Sequence, residues 1–160
     1  MQKLIQGLKS RLNDADRVAL LGVGSELRGD DAAGILVAES LIRGCRSRKL
    51  KVFLGHTAPE NLTGEIRRFK PTHLIIVDSA DMGKRPGTVA FIDLDKLGGV
   101  SFSTHQLPLK VLADYIASDI GCRISIIGIQ PGQLEFASAP TKEIKKAAQE
   151  ISAAIKEAIR

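Results

Sequence analysis

Two adjacent acids close the run Gly22-Val23-Gly24-Ser25-Glu26-Leu27-Arg28-Gly29-Asp30-Asp31. An apolar stretch, Val18-Ala19-Leu20-Leu21, precedes it and a helical pattern follows from near Ala32, so the run reads as strand, glycine-rich turn and helix start. A phosphate loop at such a turn needs bare N–H groups and no nearby anion. Two aspartates there suit a cation instead. They also suit a plain helix start, because Asp is a favoured N-cap and first-turn acids complement the helix dipole. Capping is the simpler role for Asp30. For Asp31, the same dipole would keep the carboxylate ionised, the form a metal ligand needs.

Asp78 ends a second apolar run, Leu74-Ile75-Ile76-Val77. A carboxylate there falls at the carboxyl edge of a buried strand, where open α/β sheets bind ligands at the point of strand-order reversal. The plainer alternative is an Asp that bonds the following turn, Ser79-Ala80-Asp81. Of the three histidines, His73 precedes this strand and reads as structural. His56 follows the second strand near the same edge. His105 lies in the loop Ser103-Thr104-His105-Gln106-Leu107-Pro108, just before a helix. Asp31, Asp78 and His105 would make an O,O,N set suited to zinc, nickel or manganese. Three protein ligands leave a position open for ligand exchange or catalysis.

Other chemistries fit less well. The third glycine of a dinucleotide fingerprint is missing, since position 27 is Leu, and no acid ends the second strand. There is no Walker lysine and no Gly-x-Ser-x-Gly elbow. Adjacent carboxylates at a helix start point apart, which argues against a proton-sharing dyad at 30 and 31.

The elements that must hold these residues alternate along the chain. Strands are expected at 18–23, 51–54, 74–78, 88–92 and 123–129. Helices are expected at 31–43, 61–69, 108–118 and 141–159, and the first ten residues read as a short amphipathic helix. Such alternation points to a three-layer α/β/α domain. The 160 residues, 44% hydrophobic and 26% charged, suit one domain with a substantial core. The expected organisation is a single domain, 1–160, with an N-terminal helical extension at 1–15 and a core at 16–160.

Net charge is +5, with basic clusters at 43–51, 67–70 and 142–146. Aromatic residues make up only 4% and none interleaves with these clusters, so a nucleic-acid role is not expected. The start of the chain lacks the apolar core of a secretion signal, and no window is apolar enough to span a membrane. Cys45 and Cys122 lack C-x-x-C spacing and read as free thiols of a cytoplasmic protein.

Several ordered motifs together carry a family resemblance. They are Gly22-Val23-Gly24-Ser25 followed by Asp30-Asp31-Ala32-Ala33-Gly34, the apolar strand ending in Asp78, Pro86-Gly87-Thr88, Thr104-His105-Gln106-Leu107-Pro108-Leu109, and Gly128-Ile129-Gln130-Pro131. From about Val18 onward the chain resembles the endopeptidases that mature the large subunit of [NiFe]-hydrogenases. Ala58-Pro59-Glu60-Asn61 and Asp81-Met82-Gly83 match best the branch serving formate hydrogenlyase-type hydrogenases, the hydrogenase 3 type.

The resemblance implies a five-stranded mixed sheet of order 2-1-3-5-4, with strand four antiparallel and helices on both faces. It also implies a peptidase, classed with the aspartic type, that removes the C-terminal extension of a nickel-loaded precursor. Its metal-contacting residues fall on Asp31, Asp78 and His105, with Asp31 and Asp78 also catalytic. Nickel would come with the substrate and be held weakly or not at all by the isolated enzyme. The partner would be the large-subunit precursor, met by a cytoplasmic monomer that binds neither nucleic acid nor membrane. The alternative is a nickel-binding accessory protein of hydrogenase assembly without proteolytic activity. Two departures stand out: Ser25 replaces the family's asparagine, and Leu54-Gly55-His56 stands where Asp-Gly-Gly is usual.

Overall fold

The computed structural model describes residues 1–93, 95, 101, 102 and 109–160, with Ser101 and Phe102 described by their backbone alone. The strands are β1 (Val18–Val23), β2 (Leu50–His56), β3 (His73–Asp81), β4 (Val89–Ile92), the two-residue β5 (Ser101–Phe102) and β6 (Arg123–Ile129). The helices are α1 (Gln2–Arg11), α2 (Ala33–Gly44), α3 (Thr63–Phe69), α4 (Leu109–Ile120) and α5 (Lys142–Ala158). The five longer strands lie in the order β2-β1-β3-β6-β4, and β5 pairs with the end of β3. Without β5 this is the expected 2-1-3-5-4 order. All pairings along it are parallel except β4 with β6.

Strand alternation divides the core into two layers. Val18 and Leu20 of β1, with Ile75 and Val77 of β3, face α1, α2 and α5. Ala19, Leu21 and Val23, with Leu74 and Ile76, face α3 and α4. Residues along a strand alternate faces, so a strand buried on both reads as an unbroken apolar run. The amphipathic α5 supplies Ile144, Ala147, Ala148, Ile151 and Ile155 to the first layer. Among the described residues no helix is long and apolar enough to cross a membrane.

Three expectations need correction. The helix expected at 31–43 begins with a separate 3₁₀ turn, Gly29–Ala32, and α2 proper starts at Ala33. The strand expected to end at Asp78 continues to Asp81, because β5 pairs with Ala80 and Asp81 and extends the ladder. No turn therefore follows Asp78. His73 is the first residue of β3 rather than a residue before it, and it is buried. The loop expected at 103–108 lies outside the described residues.

Candidate active site

The chain leaves β1, visits β2 on one side, and returns to β3 on the other. The order therefore reverses between β1 and β3, and the crevice beyond their carboxyl ends is a ligand position by topology alone. Asp31 comes from the turn after β1. Asp78 lies one step beyond Val77, the partner of Gly22 in the β1–β3 ladder. Both acids are fully buried, at 0% exposure. The Ser79 hydroxyl donates to Asp31 Oδ1 at 2.7 Å, so the residue next to Asp78 holds the Asp31 carboxylate.

Close backbone packing makes this meeting possible. A Cβ on Gly34 would come within 2.2 Å of the Val77 carbonyl oxygen and 2.3 Å of that of Val23, so α2 touches the ends of both strands through a bare Cα. Gly24 has φ +141° and a Cβ there would meet the Asp31 carbonyl at 1.9 Å. Only glycine meets both demands. The spacing from Gly24 to Gly34 thus folds the turn back until Asp31 reaches β3.

Asp30 has a different task from the one expected. No side chain caps its own turn or α2. Its Oδ2 instead accepts the N–H groups of Gly132 and Gln133 at 2.8 and 2.9 Å, and its Oδ1 accepts the N–H of Thr141, just before α5, at 2.7 Å. Hydrogen bonds to a carboxylate are strong, and three of them offset much of its burial cost. Asp30 therefore ties the loop after β6 to the turn that carries Asp31.

Gln130 plays the same part for the loop after β3. It is buried, and its Oε1 accepts the N–H groups of Met82 and Lys84 at 2.7 and 3.1 Å. Its Nε2 donates to Asp81 Oδ1 at 3.1 Å. The Gly83 N–H and then the Gln130 amide hold the exposed Asp81 carboxyl below the ordinary carboxylate range.

His56 closes β2 at the level of Val23, on the same sheet edge, with a left-handed φ of 48°. Its Nδ1 lies 3.8 Å from Glu26 Oε2, and both side chains are half-exposed. His105 lies outside the described residues. Among those that are described, no group of three His, Cys, Asp or Glu side chains is placed to hold a metal ion.

Ser79 was not legible as a site residue from sequence. The signal available was a hydroxyl directly after Asp78 in an otherwise apolar strand. Gln130 stood out only within a turn, although a glutamine at the end of an apolar strand already asks for buried partners.

The hydrogenase maturation protease family, HycI, matches residues 35–159. The chain belongs to that family. Among relatives of this family, the hydrogenase 3 maturation protease of Escherichia coli K12 is 39% identical over 133 residues, covering 82% of this chain and 84% of the relative. The crystal structure of a [NiFe] hydrogenase maturation protease HycI from Thermococcus kodakarensis superposes with a TM-score of 0.87 at 34% identity, covering 96% of this chain and 98% of that one. The solution structure of an endopeptidase HycI from Escherichia coli superposes with a TM-score of 0.76 at 35% identity, covering 88% and 89%. Membership makes this a protease of hydrogenase maturation.

Proposed function

We infer that this chain removes the C-terminal extension of a [NiFe]-hydrogenase large-subunit precursor already loaded with nickel. Asp31, Asp78 and His105 take open coordination positions on the ion the precursor carries. The observation that carries this reading is the burial of both Asp31 and Asp78 at the switch point, one on the turn after β1 and the other one step beyond the β1–β3 ladder. Buried carboxylates at a common sheet edge supply charged oxygen donors to a cation that docks there. Oxygen donors plus one imidazole suit a divalent transition metal. By strand alternation Asp78 continues the row of Leu74 and Ile76, which faces α3 and α4. The segment that carries His105 leads directly into α4.

An incomplete ligand set gives the protease a checkpoint. Precursor without nickel lacks the group the acids recognise, so metal loading precedes cleavage. Asp31 or Asp78 also serves as general base for the attacking water, which must come within hydrogen-bond reach of the carboxylate. Once docked, the precursor's ion would be available to polarise the scissile carbonyl. Incubation with the cognate nickel-loaded precursor, followed by mass measurement, should give one released C-terminal peptide and one shortened subunit. Stable binding without shortening would favour the accessory-protein reading instead.

A further inference from the structure

Large apolar side chains exposed to solvent are few on the described surface, and two of them, Leu27 (62% exposed) and Phe136 (76% exposed), belong to the turn that carries Asp31 and to the loop that Asp30 fastens to it. These loops are zipped together. Ala137 N–H donates to Leu27 O at 2.7 Å, Gly29 N–H to Ser138 O at 3.1 Å, and Asp30 N–H to Gln133 O at 2.8 Å. Arg28 Nε donates to Leu134 O at 3.4 Å. The Asp30 carboxylate binds the same loop from within. Ala137, next to Phe136, is held at φ 61°, a conformation unfavourable for a residue with a Cβ. Strain of this kind persists where surrounding structure enforces it, and it gathers at functional sites.

We propose that Leu27 and Phe136 form a rigid apolar docking knob that seats in an apolar depression on the folded body of the precursor, beside the segment to be cut. This rests on the reading that Asp31 and Asp78 receive that precursor. Leu27 lies four residues before Asp31, and Phe136 lies on the loop that Asp30 fastens to the same turn. A folded protein that delivers a peptide bond to Asp31 meets the turn on which Leu27 lies and the loop fastened to it. An exposed aromatic on a pre-ordered loop loses little further freedom on binding, so its burial goes largely into affinity. The knob thus selects the folded precursor, and the acids select its ion.

The test compares Phe136→Ser and Leu27→Ser with wild type and with Ile42→Ser, which alters an exposed apolar residue near the C-terminal end of α2. Each knob variant should raise KM for nickel-loaded precursor by about tenfold or more. Their kcat should stay within about twofold of wild type, with unchanged melting temperatures, and Ile42→Ser should behave as wild type. Unchanged KM in both knob variants overturns the proposal. So does a fall in melting temperature, which would make the pair structural, or wild-type self-association that the variants abolish, which would make a second copy the occupant. Calorimetric affinity for uncleaved precursor separates this proposal from the functional reading. If wild type binds but does not cut, the protease reading fails, while a tenfold affinity loss in the knob variants still upholds the docking surface and equal affinities overturn it.

Discussion

Gly34 stands so close to Val77 that a methyl group on its Cα would lie 2.2 Å from the Val77 carbonyl oxygen. This contact sets α2 against the carboxyl end of β3, and it sits three residues after Asp31 and one before Asp78. Gly34→Ala should force the helix away from the strand ends at a cost of about 1–3 kcal/mol, the usual range for overpacking. Backbone oxygens cannot step aside as side chains do, so the upper end is expected. Chemical denaturation should show the loss of stability, and cleavage should fall with it because Asp31 is drawn away from Ser79.

Asp30 offers a separate test of how the loop after β6 is held. Replacing it with Ala strands the N–H groups of Gly132, Gln133 and Thr141 without their acceptor. Hydrogen bonds to charged groups contribute about 1.5–3 kcal/mol each, so a loss of more than about 3 kcal/mol is expected. Amide hydrogen exchange should rise at residues 132–141 and stay near wild type in β1 and β3. An unchanged exchange pattern would show that the loop holds its place without the carboxylate.

His73 makes stability depend on pH. Burial holds its imidazole below the ordinary value of 6.5, and nearby Arg123 and Arg11 push the same way, while Asp14 opposes them. The folded protein therefore keeps His73 neutral where the unfolded chain begins to take up a proton. As pH falls through about 6.5 the unfolded state binds more protons, so stability decreases. Urea midpoints should drop between pH 7.5 and 5.5, and His73→Gln should reduce that drop. A variant with the same acid dependence as wild type would assign the effect to groups other than His73.

The sheet was legible in the sequence because its strands are short apolar runs with clear punctuation. Leu74-Ile75-Ile76-Val77 could hardly be anything but a strand buried on both faces, and α5 showed its inner face residue by residue. The placement of Asp31 and Asp78 at the carboxyl edge of the sheet was legible because one follows a glycine turn after an apolar strand and the other closes an apolar run. The role of Asp30 was not legible. Its partners lie more than 100 positions away, and an Asp at a helix start looks the same whether it caps its own helix or receives a distant loop. The length of β3 was hidden for a similar reason. Its last residues are held by β5, a two-residue strand with no periodicity to announce it. His105 entered only through its loop and the family motif, and it lies outside the described residues.

The central claim is that Asp31 and Asp78 read the nickel of the precursor. The most direct measurement follows cleavage by mass spectrometry with nickel-loaded and nickel-free precursor, using wild type, Asp31→Asn and Asp78→Asn. Wild type should shorten only the loaded precursor, and each Asn variant should lose at least about a hundredfold in rate while remaining folded. Equal cleavage of both precursors by wild type, or full activity in either Asn variant, would contradict it.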